Sequence, residues 1–353
     1  MAEGAGPALG LSIGSTNLAA VTADLAITRK PVLTLFRRRS PEVGVPAENP
    51  KLDERGLVIT DFVDQVGDPV VIEAVDGSVH RSEVLAAEAL RALAYTATGG
   101  RPLPDSVAIT YPAHWERRAV DELGSALSRV SEWSNRARPL TLIPDATAAL
   151  FAVRANPGLP DTGIVAVCDF GGSGTSVTVV DAAGEYQPVG TTGRYLDFSG
   201  DLLDQVMLTA VLANLPGTGV SGPGVPRLAR LRAECRTAKE QLSAATVTTL
   251  LDVQITRAEL RDAIGDSLAN FLAFVETRLR YNGIRDSDLA AMVLIGGGAS
   301  LPAVTAVLSR RFRVPVVTTP RPHLAAAVGG ALRASRDVND AGVIPVRPAA
   351  LAR

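Results

Sequence analysis

The stretch IVAVCDFGGSGTSVTVVD, residues 164–181, decides the fold, because ALGLSIGSTNLAAVTAD, residues 8–24, repeats its pattern in the other half of the chain. Each is a short apolar strand, a turn of Gly, Ser, Thr and Asn, and a second alternating strand. A hairpin tip without bulky side chains presents backbone N–H groups and small hydroxyls to a concave space. That makes a nest for an anion such as phosphate. A single Gly-Ser turn is more often a plain connection between strands. Two similar tips opening two halves of one chain predict a duplicated fold that closes on a phosphorylated ligand.

The 353 residues suffice for two domains and a substantial core. The composition, 46% hydrophobic with 4% aromatic, is that of a soluble globular protein. A net charge of -2 gives no general attraction to nucleic acid or anionic membranes, so no nucleic-acid partner is expected. The basic runs Arg37-Arg38-Arg39 and Arg310-Arg311 read as solvated faces. Cys168 and Cys235 lack metal-ligand spacing; Cys168 sits in an apolar strand, the ordinary place for a small buried thiol. Nothing implies an oxidising compartment. The first residues lack a basic n-region, and no window approaches the roughly 20 apolar residues of a membrane span. No signal peptide and a cytoplasmic location are the expectation.

Beyond the first hairpin, residues 32–61 read as extended segments, and DPVVIEAVDGSV as strand with a turn at Asp76-Gly77. SEVLAAEALRALAY is helical. SVAITYPAHW is a strand broken at Pro112 and leading to a helix near Glu116–Val130, PLTLI is a strand, and Asp145 opens the helix ATAALFAVR. After the second hairpin come a Gly/Pro-rich break at 218–226 and the helix RLARLRAECRTAKEQLSAA. TVTTLLDVQIT is predicted as strand and ITRAELRDAIGDSLANFLAFVETRLRYNG as one long helix. AAMVLIGGGASLPAVTAVLSRRF reads as strand, Gly loop and helix; VPVVTT and the helix HLAAAVGGALRA follow. The pattern predicts an α/β fold with mixed sheets. The expected division is a first lobe at 1–160, a second at 161–334 and a linker-like tail at 335–353.

Five segments in this order resemble the ATPase domain of the heat-shock protein 70 (DnaK-type) chaperone family, within the actin/hexokinase superfamily. GLSIGSTNLAAV resembles G-I-D-L-G-T-T-x-S-x-V, and AITYPAHWERRAV resembles V-I-T-V-P-A-x-F-x-x-x-Q-R. IPDATAALFA, CDFGGSGTSVTVV and VLIGGGASLPAVTAVL resemble N-E-P-T-A-A-A-L-A, F-D-L-G-G-G-T-F-D-V-S and V-L-V-G-G-S-T-R-I-P-x-V. ECRTAKEQLSAAT and RPHLAAAVGGA also align, and the likeness spans residues 8 to about 334. It implies a two-lobed actin-like ATPase fold of duplicated ribonuclease-H-like cores, with ATP or ADP and Mg²⁺ in the cleft. Gly14, Ser15, Thr16 and Asn17 of the first tip, and Gly171, Gly172 and Ser173 of the second, would hold the phosphates. Gly296, Gly297 and Gly298 would let the backbone approach the adenosine. Lys239 and Ser243, four apart on one helical face, fall where the family contacts the nucleoside. A surface helix contact is the plain alternative for that pair.

The departures bear on mechanism, since phosphoryl transfer is mostly positioning and charge neutralisation. Ser12 stands where the first hairpin's metal-holding carboxylate would be, and Ser176 in place of the second hairpin's second acid. Asp145 replaces a Glu, one methylene shorter; a shift of about 1 Å at a reacting centre can cost roughly 100-fold in rate. Val63 falls at the family's catalytic lysine, Glu240 and Ser300 at its base-flanking arginines, and Arg236 at an acid. Asp169 is retained; it is expected to orient the attacking water and touch the metal through water, with Asp145 placing the metal's water shell. An Asp before Gly-Gly is also common turn chemistry. His114 and Trp115 read as a strand-to-helix corner packed between lobes, and His80 and His323 as structural or exposed.

The implied function is a nucleotide-binding domain with weak or absent hydrolysis, a chaperone-like switch for a further domain or a protein partner. The rival readings are a pseudo-ATPase interaction scaffold with an empty cleft, and a sugar kinase or polyphosphate hydrolase, against which Ser12 counts. A filament-forming actin relative is less in keeping with the last segments. Peptide refolding by these 353 residues alone is not expected, for want of room for a peptide-binding β-sandwich and lid.

Overall fold

The computed structural model describes residues 8–134, 140–214, 225–251 and 253–342. In the first half, β1 (Ala8–Ser12), β2 (Leu18–Val21) and β3 (Ala26–Arg29) form an antiparallel meander. Helix α1 (Ser82–Ala97) then leads to β4 (Ser106–Tyr111) and β5 (Thr141–Pro144), which run parallel to β1, giving the order β5-β4-β1-β2-β3. Helix α2 (Asp145–Ala155) connects to the second half. There β6 (Ile164–Phe170), β7 (Thr175–Asp181) and β8 (Gly193–Tyr195) form another antiparallel meander. Helices α3 (Gly200–Asn214), α4 (Val225–Ala244) and α5 (Gly265–Tyr281) follow. Strand β9 (Leu289–Ile295), helix α6 (Pro302–Phe312), strand β10 (Val316–Thr318) and helix α7 (Ala325–Gly342) complete the described chain. Strands β9 and β10 are parallel to β6, so the second sheet reads β10-β9-β6-β7-β8. The two orders are one topology used twice, as the paired hairpins predict.

The sheets enclose a layer of two helices. Helix α2 buries Ala149, Leu150 and Val153 among Val165, Val167 and Val293 of the second sheet. Helix α7 lies on β1 and β4 of the first. The approach is close enough to demand glycine twice. A Cβ on Gly10 would lie 2.0 Å from the Ala327 carbonyl oxygen, and one on Gly329 would lie 1.7 Å from that of Ala148. Residues 325–334, expected in the second lobe, lie in α7 on β1 and β4, with Ala325 also in the cluster of Val165 and Val293. Residues 335–342, expected as linker, continue α7. The small residues of HLAAAVGGALRA explain both facts, since they let a helix sit on bare backbone. Residues 343–353 of the expected tail, and most of the Gly/Pro break at 218–226, lie outside the described residues.

Two predicted elements divide. The single strand expected over 246–256 is a hairpin of Val247–Leu250 and Val253–Thr256, with Leu251 at φ 47°. Folding back on itself gives the segment its own backbone partners. The long helix expected from residue 255 starts at Arg257 behind a Thr256/Glu259 capping box and breaks at Ile264 (φ -96°, ψ 0°), beside the poor helix former Gly265. Cys168 and Cys235 are buried free thiols, pushed up to about 12 and about 11 by burial, as inert core cysteines should be. Among the described residues no helix is long and apolar enough to cross a membrane.

Candidate functional site

The two hairpin tips meet. Ser15 Oγ lies 2.7 Å from Ser173 Oγ, and a Cβ on Gly172 would fall 1.9 Å from Thr16 Cγ2. Gly172 is thus required by contact between the tips. Gly171 N–H donates to the Gly174 carbonyl at 3.1 Å, closing the second tip. Among the described residues, no backbone carbonyl accepts from the N–H groups of Ser15, Thr16, Gly172 or Ser173. Gly14 turns tightly, its missing Cβ 2.9 Å from the Asn17 carbonyl, and Asn17 is exposed.

The second tip is braced from behind. Gly200 and Asp201, opening α3, donate N–H bonds to the carbonyls of Gly171 (3.0 Å) and Gly172 (2.9 Å). Lys239 of α4 donates to the Gly200 carbonyl at 2.7 Å and pairs with the fully buried Asp204 at 2.6 Å. Arg236 pairs with Asp204 (2.9 Å) and Asp201 (2.6 Å). Lys239, expected at the nucleoside, therefore spends its charge holding the hairpin. Ser243 is half-buried one turn on, and its carbonyl accepts from Arg257 at 3.4 Å. Gly296 (φ 79°) lies against Asp169, where a Cβ would meet Oδ1 at 2.3 Å. Gly298 packs on Phe170, and Gly297 faces open space. The structure so gathers both tips, Asp169 and the 296–298 loop; Ser243 stands apart.

Beneath the tips lie two neighbouring carboxylates, the buried Asp145 and the half-buried Asp169. Asp145 opens α2, and its Oδ1 accepts from Ala113 N (3.0 Å) and Ala146 N (2.6 Å). Burial first, and the charge of Asp169 second, push Asp145 up to about 8. Asp169 is also raised by burial, against the opposing pull of Arg194 and a hydrogen bond with Asp145. The pair holds a proton at neutral pH.

Sequence reasoning missed Arg194. Strand β8 places it opposite Ser176, and its guanidinium donates to Ser176 Oγ (Nη1, 3.1 Å) and Ser173 Oγ (Nη2, 2.8 Å). The only trace in the sequence is an Arg on the strand next to Ser176, visible once the β7–β8 register is known. Asp64, beside the buried Val63, was also missed; it is solvent-exposed, yet partial desolvation raises its carboxyl, and it acts on Arg194 from the other lobe. His114 spans the lobes, as its corner position suggested, with Nδ1 3.2 Å from Ser176 Oγ. Burial lowers it to about 4, so the neutral ring accepts the Ser176 proton while Ser176 accepts from Arg194. His114, Trp115, Glu116 and Asp64 line a neighbouring cavity of about 310 Å³. His80 bonds Ser78 at 2.8 Å away from the site, and His323 is exposed.

Mg²⁺ requires near-octahedral oxygen ligation, usually with one or two carboxylates. Here the hairpin acids are Ser12 and Ser176, a guanidinium stands on Ser176 and Ser173, and Asp145 and Asp169 share a proton. Among the described residues no three His, Cys, Asp or Glu side chains gather to hold a metal. The donor set does not suit Mg²⁺.

A duplicated five-stranded α/β core with paired glycine hairpins facing each other defines the two-lobed actin-like ATPase fold. The family model for the Hsp70 protein matches residues 59–347, and the chain belongs to that family. It is 28% identical over 280 residues to the chaperone protein HscA homolog of Acidithiobacillus ferrooxidans, covering 75% of this chain and 42% of that protein. It is 27% identical over 247 residues to the heat shock cognate HSP70 protein of Trypanosoma brucei brucei, covering 64% and 35%. The chain thus spans less than half the length of these relatives. Domains of this family generally bind ATP or ADP with Mg²⁺.

Proposed function

We propose that this chain is a divergent Hsp70-type nucleotide-binding domain that holds ATP or ADP between its lobes and hydrolyses it weakly or not at all. The supporting observation is the pair of facing tips, whose Ser15, Thr16, Gly172 and Ser173 N–H groups have no backbone acceptor among the described residues. Such groups converge on an anion. The 296–298 loop beside Asp169 would receive the nucleoside. Hydrolysis needs a base and a neutralising charge in place, and a carboxylate that keeps its proton at pH 7 is a poor base. Nucleotide occupancy would set the distance between the tips and pass that state to a further domain or a protein partner.

The Ser15–Ser173 bond favours a second reading, in which the cleft stays shut and the domain is an interaction scaffold. Thermal unfolding with and without ATP and ADP separates the two. A ligand at about 100 times its Kd adds roughly 2.7 kcal/mol, so a shift in Tm supports the switch. An unchanged Tm at millimolar nucleotide leaves the scaffold.

A further inference from the structure

We infer that Arg194 does in this cleft what a divalent cation does elsewhere, so that the phosphates of ATP or ADP bind the hairpin tips without Mg²⁺. The inference rests on the nucleotide-binding reading above and adds the identity of the counter-charge. Among the described residues, Arg194, Arg236 and Lys239 adjoin the second hairpin or its brace. Arg236 and Lys239 are spent on Asp201 and Asp204 at 2.6–2.9 Å. Arg194 is bonded only to the neutral hydroxyls of Ser173 and Ser176 among the described residues. Those two bonds use two of the five N–H groups of a guanidinium and leave three without a partner among the described residues.

Position supports the same conclusion. Ser173 belongs to the tip and bridges to Ser15 of the opposite one, so an anion bound to the unclaimed tip N–H groups lies within reach of the Arg194 fork. Gly174 keeps that fork in place, since a Cβ there would meet Arg194 Nε at 2.8 Å. A planar fork matches phosphate oxygens two at a time, which an ammonium cannot do. The charged groups facing Arg194 are Asp64 from the first lobe and the proton-sharing pair Asp145 and Asp169. None forms an ion pair with it among the described residues, so a bound phosphate would be its first direct anionic partner. A hydroxyl at position 176 is what makes this possible, because a carboxylate there would neutralise the guanidinium.

The test is calorimetric titration of the whole chain with ADP and with ATP, once in excess EDTA and once in Mg²⁺, for the wild type, Arg194→Gln and Arg194→Lys. The wild type should bind equally, within about threefold, in the two buffers. Arg194→Gln should weaken binding about 10- to 100-fold in both, the range for losing a charged hydrogen-bond partner. Arg194→Lys should fall between, keeping the charge without the fork. The unliganded Tm of each variant reports its folding, and the wild-type comparison needs no variant. Binding only in Mg²⁺, or undiminished binding by Arg194→Gln, overturns the role of Arg194 and leaves the nucleotide reading standing. No binding in either buffer overturns the nucleotide reading and this inference with it.

Discussion

Replacing Asp145 with Asn should remove most of the loss of stability expected of this protein between pH 6 and 8. Asp145 has an ordinary value of 3.8 and is held at about 8 in the folded chain. A carboxyl raised by folding binds its proton more tightly in the native state. Its stabilising effect is therefore full below pH 4 and is lost as pH rises toward 8. Each pH unit in that window costs about 1.4 kcal/mol. Between pH 6 and 8, with levelling near the upper value, the loss is about 2 kcal/mol. At roughly 2.1 cal/mol/K per residue, unfolding 353 residues carries about 0.7 kcal/mol/K, so Tm should fall by about 3 °C.

The asparagine Oδ1 can still accept from Ala113 N and Ala146 N, so the variant keeps the local bonds and loses only the titration. Asp64 titrates in the same sense as Asp145, and His114, lowered to about 4, in the opposite sense below pH 6.5. Both are present in the two proteins, and the difference between them isolates the carboxyl pair. The assay is Tm by calorimetry at half-unit pH steps. Parallel pH profiles for wild type and variant would refute the buried-pair argument.

Two further outcomes follow from contacts already described. Asp169→Asn should reduce any measurable phosphate release from ATP at least tenfold while changing nucleotide affinity by less than about threefold; equal turnover in a phosphate-release assay would remove Asp169 from the chemistry. Gly329→Ala should destabilise by about 1–3 kcal/mol, since its Cβ would fall 1.7 Å from the Ala148 carbonyl and must drive α2 and α7 apart; an unchanged Tm would show that the helix pair is not the rigid layer described.

The duplicated hairpins, the strand–helix alternation and the glycine loop at 296–298 were legible because each is a local pattern. Period-2 apolar runs, turn residues and a Gly-rich stop all declare themselves within about twenty residues. What was not legible depends on pairing between distant segments. Arg194 acquires its role only through the β7–β8 register that sets it opposite Ser176. Asp64 matters only because the first lobe carries it to the second. The home of α7 was not legible because sequence order says nothing about which sheet a returning helix covers, although the close-packing glycines were there to be read. Lys239 was placed by resemblance, and a neighbouring turn of α3 claims it through Asp204, whose burial no local pattern signals.

Taken together, the charges of this cleft have been rearranged rather than simply lost. The resemblance puts a lysine in the first lobe and acids on both hairpins. The structure has an acid, Asp64, in the first lobe, an arginine in the second, and hydroxyls at positions 12 and 176 beside the retained Asp169. Binding a phosphate asks for N–H groups and one cation near the tips, and both remain. Transferring a phosphoryl group asks for charge on both sides of the reacting atom and a base that is free of its proton. Ser12 and Ser176 cannot supply the first, and the proton shared by Asp145 and Asp169 denies the second. A cradle kept without the transfer machinery would suit the proposed domain, in which occupancy and not turnover would carry the signal.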